Sequence, residues 1–145
     1  MLTVYTKHHS NRYQKIFANL SICMLLLLPG ACASTADKMD RLNNVLRGYE
    51  KALRWAKFDI AYSYHKWEST EQPSIPDYLK NIRLTNYGAS NKSFDEETMT
   101  AKQTVKISFY NKNDLRERSL EDKQRWKYFS DEKRWYLMSK PPTFK

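Results

Sequence analysis

The alternation between residues 98 and 109 constrains the fold of this chain more than any other feature. Met99, Ala101, Val105, Ile107 and Phe109 fall on one phase, and Thr98, Thr100, Lys102, Thr104, Lys106 and Ser108 on the other. A period of two sends successive side chains to opposite faces of a strand, so this segment has one apolar and one polar face. Its β-branched residues suit a pleated, half-buried surface. Gln103 stands on the apolar phase, between Ala101 and Val105. A polar group facing a core is costly unless it is hydrogen-bonded, so Gln103 is a candidate for either a satisfied core position or the lining of a pocket.

The same period extends to both sides. Ile82 and Leu84 alternate with Arg83 and Thr85, which predicts a strand over residues 79–87 and a long turn over 88–97. Asn111-Lys112-Asn113-Asp114 reads as a turn. In residues 115–129, Leu120, Asp122, Gln124, Trp126 and Tyr128 share a phase. A helix competes for this segment because it is rich in Glu, Arg and Lys. A strand is preferred, because Trp126 and Tyr128 match Trp135 and Leu137 across a hairpin closed by Ser130-Asp131-Glu132-Lys133. Pro141-Pro142 ends the last strand.

Upstream the period is 3.6. Met39, Leu42, Val45, Leu46, Tyr49, Ala52 and Leu53 form one stripe, with Arg41, Asn44, Arg47, Glu50, Lys51 and Arg54 opposite. Asp37 is the expected N-cap, and Gly48 a mild cost within the helix. Trp55-Ala56-Lys57-Phe58 breaks the stripe, and Asp59 is placed to cap a second helix over residues 60–67. Residues 68–76, with Pro73 and Pro76, read as a loop. The order α-α-β-β-β-β with hairpin connections predicts an α+β fold. An N-terminal helix pair covers one face of a four-stranded antiparallel meander in one domain, residues 37–145.

Composition matters most where it is uneven. Lys7, Arg12 and Lys15 precede Cys32, but none of the 16 acids does. Residues 16–28 are mostly apolar and end in Met24-Leu25-Leu26-Leu27-Leu28, before Pro29-Gly30-Ala31-Cys32-Ala33-Ser34. A basic segment, a short apolar run and a small-residue site have the layout of a secretory signal peptide. The run is shorter than the roughly 20 residues a spanning helix needs. Ala31-Cys32-Ala33 is one cleavage site, which would release a soluble periplasmic protein.

Leu28-Pro29-Gly30-Ala31-Cys32 also resembles the lipobox of bacterial lipoproteins, with Gly30 and Ala31 at the small positions and Pro29 where Leu is usual. That resemblance implies removal of residues 1–31 and lipid attachment at Cys32, with residues 32–36 as a short tether. Ala33 and Ser34 lack an inner-membrane retention Asp. By the family's sorting rule this implies the inner leaflet of the outer membrane, facing the periplasm. Cysteine usage agrees with a lipid role. Cys23 lies in the apolar run, and Cys32 then has no disulfide partner.

A second resemblance covers the domain. The helix pair Tyr49-Glu50-Lys51-Ala52-Leu53 and Phe58-Asp59-Ile60-Ala61-Tyr62 looks like the NTF2-like (SnoaL-like) superfamily. So do the long meander and the closing Trp126-Lys127-Tyr128 and Trp135-Tyr136-Leu137. Small proteobacterial lipoproteins of that shape are similar too. The resemblance implies a curved sheet wrapped into a cone with an internal pocket, in a family of dehydratases, isomerases and many non-enzymes. No catalytic motif of a family enzyme is matched.

Catalytic chemistry is sparse. His65 is the one His after the N-terminal segment, expected near a helix end and exposed or capping. With Asp122 it forms the one acid–base pair worth testing for an enzyme. There is no G-x-S-x-G and no Gly-rich phosphate loop, and too few His and Cys for a transition-metal site. Asp95-Glu96-Glu97 reads as solvated loop. Gln103, Asp122, Gln124, Trp126 and Trp135 are the candidate pocket lining. Arg125-Trp126-Lys127-Tyr128 and Lys133-Arg134-Trp135-Tyr136 interleave cations with rings, a pattern seen in nucleic-acid binders. Export argues against nucleic acid. The partners expected instead are the membrane through the lipid, an envelope protein, or an anionic lipid or polymer. The expected function is a non-enzymatic, membrane-anchored accessory or binding domain without cofactor or metal. A small-ligand pocket protein is the alternative, and a dehydratase or isomerase a more distant one.

Overall fold

The computed structural model describes residues 30–69 and 71–145, with side chains from Thr35 onward. The signal-segment readings for residues 1–29 lie outside the described residues. The chain divides into two compact units, Met1–Asp37 and Lys38–Lys145. What is described of the first unit is helical backbone. Helix α1 spans Gly30–Arg54. Asp37 therefore lies inside the helix and is not its N-cap, and residues 33–36, expected as a tether, are helical backbone. Ala31, Ala33 and Ala36 carry the highest helix propensity of any residue, which favours continuation through this stretch.

In the second unit, α1 presents Leu42, Tyr49, Ala52 and Leu53 to the core, with Met39, Val45 and Leu46 partly buried beside them. Gly48 is more than a cost to propensity, because a Cβ there would overlap the Tyr64 hydroxyl. The helix ends in a Schellman pattern. Lys57 N donates to Ala52 O at 2.8 Å and Ala56 N to Leu53 O at 3.1 Å, with Ala56 at φ 52. Helix α2 is one short piece, Phe58–Tyr62. Asp59 sits in its first turn, and Lys57 occupies the cap position with no side-chain cap bond. A 3-10 turn, Asp77–Asn81, buries Leu79.

Four strands follow: β1 Ile82–Asp95, β2 Thr100–Asn111, β3 Glu117–Phe129 and β4 Arg134–Leu137. Each pairs antiparallel with the next, giving an open sheet of order β1-β2-β3-β4. The meander and the strand reading of β3 match the sequence expectation. The long turn expected over residues 88–97 does not form. That stretch continues β1 to Asp95, with irregularities between Leu84 and Asn86 and between Ser90 and Ser93. Polar Ser90, Asn91, Lys92 and Ser93 are compatible with an edge strand, whose outer side stays in water.

The odd positions of β2 and the even positions of β3 point inward. Ala101, Val105, Ile107, Phe109 and Trp126 are buried, as are Trp135 and Leu137 on β4. The helices cover this face. Tyr49 meets Trp126 edge-to-face at 5.5 Å, and Trp135 Nε1 donates to Lys38 O at 2.9 Å. Phe144 closes one end, with its ring 5.1 Å from Phe109 and 6.0 Å from Phe58.

Candidate functional site

The inner face of β2 and β3 carries polar residues amid the apolar ones, and the register places them in one cluster. Gln103 pairs with Gln124, and Val105 with Asp122. Gln124, only 2% exposed, sits at the centre. Its Oε1 accepts from Gln103 Nε2 at 2.7 Å and from Trp126 Nε1 at 3.2 Å. Its Nε2 donates to Asp122 Oδ2 at 2.7 Å and to Tyr87 Oη at 3.1 Å. An indole N–H can only donate, so Trp126 fixes which way the Gln124 amide faces. All four hydrogen-bonding positions of that amide are used.

Asp122 is the carboxyl of the cluster, and among the described residues no basic side chain hydrogen-bonds to it. Burial raises its carboxyl above the ordinary range, and the hydrogen bond from Gln124 opposes this in part. Burial likewise pushes the Tyr87 and Tyr49 phenols upward, and the nearby Asp122 charge adds to both. The cluster therefore favours neutral groups.

His65 lies elsewhere in the core. It is 4% exposed, which corrects the expectation of an exposed or capping residue. The segment after α2 runs beside β4. His65 bridges to Leu137, and Leu137 N donates to Tyr64 O at 2.8 Å. His65 Nδ1 faces Ser139 O at 3.0 Å, so that nitrogen carries the proton. Burial lowers the imidazole to about 4, with the Ser139 carbonyl acting against the shift. Its ring packs against Tyr49, Tyr62 and Trp67. Tyr49 Oη and His65 Nε2 are buried with no hydrogen-bond partner among the described residues.

His65 and Asp122 are not brought together. His65 aligns with the Leu137–Trp126 row, and Asp122 is four residues further along β3. In a regular sheet that separates their Cα atoms by about 15 Å, beyond direct proton transfer.

A pocket of about 170 Å³ opens between α1 and the β1–β2 side of the sheet. Met39, Leu42, Leu46, Phe94, Ala101 and Trp126 supply apolar walls, and Gln103, Lys92 and Lys102 also line it. Two of the five sequence-nominated residues, Gln103 and Trp126, thus border the pocket. Asp122 and Gln124 lie in the cluster beside it. Trp135 packs against Phe94 and Tyr128. The hydroxyl of Tyr87 completes the cluster and was not nominated from sequence. The signal for it lay in the β1 register, which pairs Tyr87 with Ile107 and so turns it inward.

The basic–aromatic runs resolve by strand parity. Trp126 and Trp135 are core residues, while Arg125, Lys127, Lys133 and Arg134 are exposed. The buried indoles are not available to stack on bases. Among the described residues there is no group of three or more His, Cys, Asp or Glu placed to hold a metal. Compared with known proteins, the chain matches no family model, no curated protein and no solved structure.

Proposed function

We propose that this chain is a bacterial envelope lipoprotein. Its α+β domain serves as a non-enzymatic accessory or binding module, held by lipid at Cys32 on the inner leaflet of the outer membrane and facing the periplasm. The observation that carries this reading is the series of a basic segment, an apolar run and Leu28-Pro29-Gly30-Ala31-Cys32. Cys32 is also the sole cysteine outside the apolar run. Among the described residues no helix is long and apolar enough to cross a membrane. The test is metabolic labelling with palmitate and cell fractionation. The native chain should carry label and sediment with outer membranes. The Cys32→Ala chain should lose the label and stay in the soluble periplasmic fraction. A native chain that is soluble and cleaved at Ala33 sinks the lipid anchor.

A second reading is favoured by the pocket. An NTF2-like cone would use such a cavity to hold a small molecule, and Gln103 and Trp126 both line it. Thermal-shift screening of native protein against Gln103→Leu separates the possibilities. A ligand whose stabilisation disappears in the variant supports a binding site. A variant that is simply more stable, with no ligand effect lost, marks Gln103 as core alone.

A further inference from the structure

The outer face of the sheet is as cationic as the inner face is apolar. Lys102, Lys106, Lys123, Arg125 and Lys127 are all exposed on it. Glu121 is the one carboxylate at the outward-facing positions of the β2–β3 pairs 100–127 to 106–121, Asp122 of the same run being turned into the core. Thr100 and Thr104 fill the remaining positions. Glu121 faces Lys106 across the strands and lies 3.7 Å from Lys123. Lys102 stands directly opposite Arg125. Like charges opposed across a ladder are destabilising, and a carboxylate at either position would relieve the repulsion. Among the described residues Arg125 and Lys127 make no ion pair with an acid, and Lys102 makes none of direct contact, although its charge reaches Asp95 at the end of β1 and adds to the Thr98 hydrogen bonds that lower that carboxyl.

The adjoining hairpin end shows the contrast. There Lys66 pairs with Glu132 at 2.5 Å, and Tyr136 Oη donates to the same carboxylate. Lys66 lies over the rings of Phe129 and Tyr136, and Arg134 over Tyr136. Lys66 is thus neutralised within the fold, while Arg134 and Lys127, the latter 5.8 Å from the Phe129 ring, keep their charge beside an aromatic face. Arg125, in the middle of the face, has neither an acid nor a ring partner among the described residues.

We infer that this sheet face docks on an anionic phospholipid surface, with Lys102, Arg125 and Lys127 contacting lipid phosphates. The inference rests on the lipid-anchor reading, which keeps the domain beside a membrane. The face is broad and is built from neighbouring strands, a form suited to a plane of charge. Each Lys or Arg near an anionic leaflet adds to the attraction, and the effect fades over a Debye length of about 10 Å at moderate salt.

The test reconstitutes the full chain in phosphatidylcholine vesicles with or without phosphatidylglycerol, and reads lysine acetylation by mass spectrometry. Lys102, Lys123 and Lys127 should be protected several-fold in the anionic vesicles alone, and high salt should remove the protection. Lys51 and Lys57, exposed on the helical side, should label equally in both. A second measurement floats the Cys32→Ala chain with anionic vesicles. Adding Lys102→Gln and Arg125→Gln should weaken that binding about tenfold, while Tm holds or rises because the repulsion is relieved. Equal labelling in both vesicle types overturns the proposal. So does equal protection by soluble heparin, which would assign the face to a polyanion instead. A native chain that leaves phosphatidylcholine vesicles yet floats with anionic ones at low salt counts against the anchor and supports the docking face.

Discussion

Two polar groups of residues are buried in this core, and they are built differently. Around Gln124, four donor and acceptor positions meet four partners, from Gln103, Trp126, Asp122 and Tyr87. Around Tyr49 and His65, one hydrogen bond to Ser139 is made and two buried atoms have no partner among the described residues. The first arrangement ties β1 and β2 to β3 through side chains and holds their register. The second relies on ring packing to hold polar atoms where they gain little. Polarity alone therefore does not say what a buried residue contributes. What decides is how many of its hydrogen-bonding positions are used.

That contrast can be broken most sharply at its centre. Gln124→Leu keeps the volume but leaves four partners without their bonds. It should lower unfolding free energy by about 3 kcal/mol or more in chemical denaturation. A loss near that of an average surface change would mean the cluster is not cooperative. The next largest effect is expected from pH. His65 is held neutral, with a folded value of about 4 against the ordinary 6.5. The unfolded chain binds the proton first, so this stabilisation is complete above about pH 6.5 and is lost as pH falls toward 4. It amounts to up to about 3 kcal/mol. Denaturation midpoints measured across that window should flatten in His65→Gln.

Asp122 has the opposite sign. Its carboxyl is raised by burial, so the folded state keeps a proton that the unfolded state has released. Stability then falls as pH rises from the ordinary carboxylate range through the folded value. Asp122→Asn still accepts from Gln124 and removes the charge. It should raise the neutral-pH Tm by a few degrees, an effect that disappears in acid. The smallest effect should come from Tyr49→Phe, which deletes a partnerless hydroxyl and keeps the ring. Stability should hold or rise by about 1 kcal/mol. A clear loss would show that the hydroxyl has a partner in solution and would remove the distinction between the two groups.

Most of the sheet was legible because its pattern is strong. The alternation around Val105 and Ile107 and the matching of Trp126 with Leu137 needed only strand parity and hairpin logic. The end of β1 was not legible. An edge strand made of Ser90, Asn91, Lys92 and Ser93 satisfies one side by pairing and the other by water, so it carries no apolar signature. Both expected helix caps failed for a related reason. Asp37 and Asp59 are suitable caps by residue type, but neighbouring Ala and Phe extend the helices past them. In the candidate site, Gln103, Asp122, Gln124 and Trp126 could be picked out because they break or share an apolar phase. Their joint saturation could not, since it depends on the register and on Tyr87 arriving from a third strand. His65 was misjudged because its burial comes from a bridge to β4, a long-range contact that local sequence does not reveal.

Gly48 acts as a keyway. Tyr64 places its hydroxyl against the helix at the spot where a side chain is missing. A slide of α1 along its own axis would bring Val45 or Lys51, the neighbours one turn away, under that ring. One absent methyl group thus indexes the axial position of a long helix whose other contacts are largely greasy and forgiving. Replacing this glycine by alanine, an exchange that usually strengthens helices, would here force either the Tyr64 hydroxyl or the helix to give way.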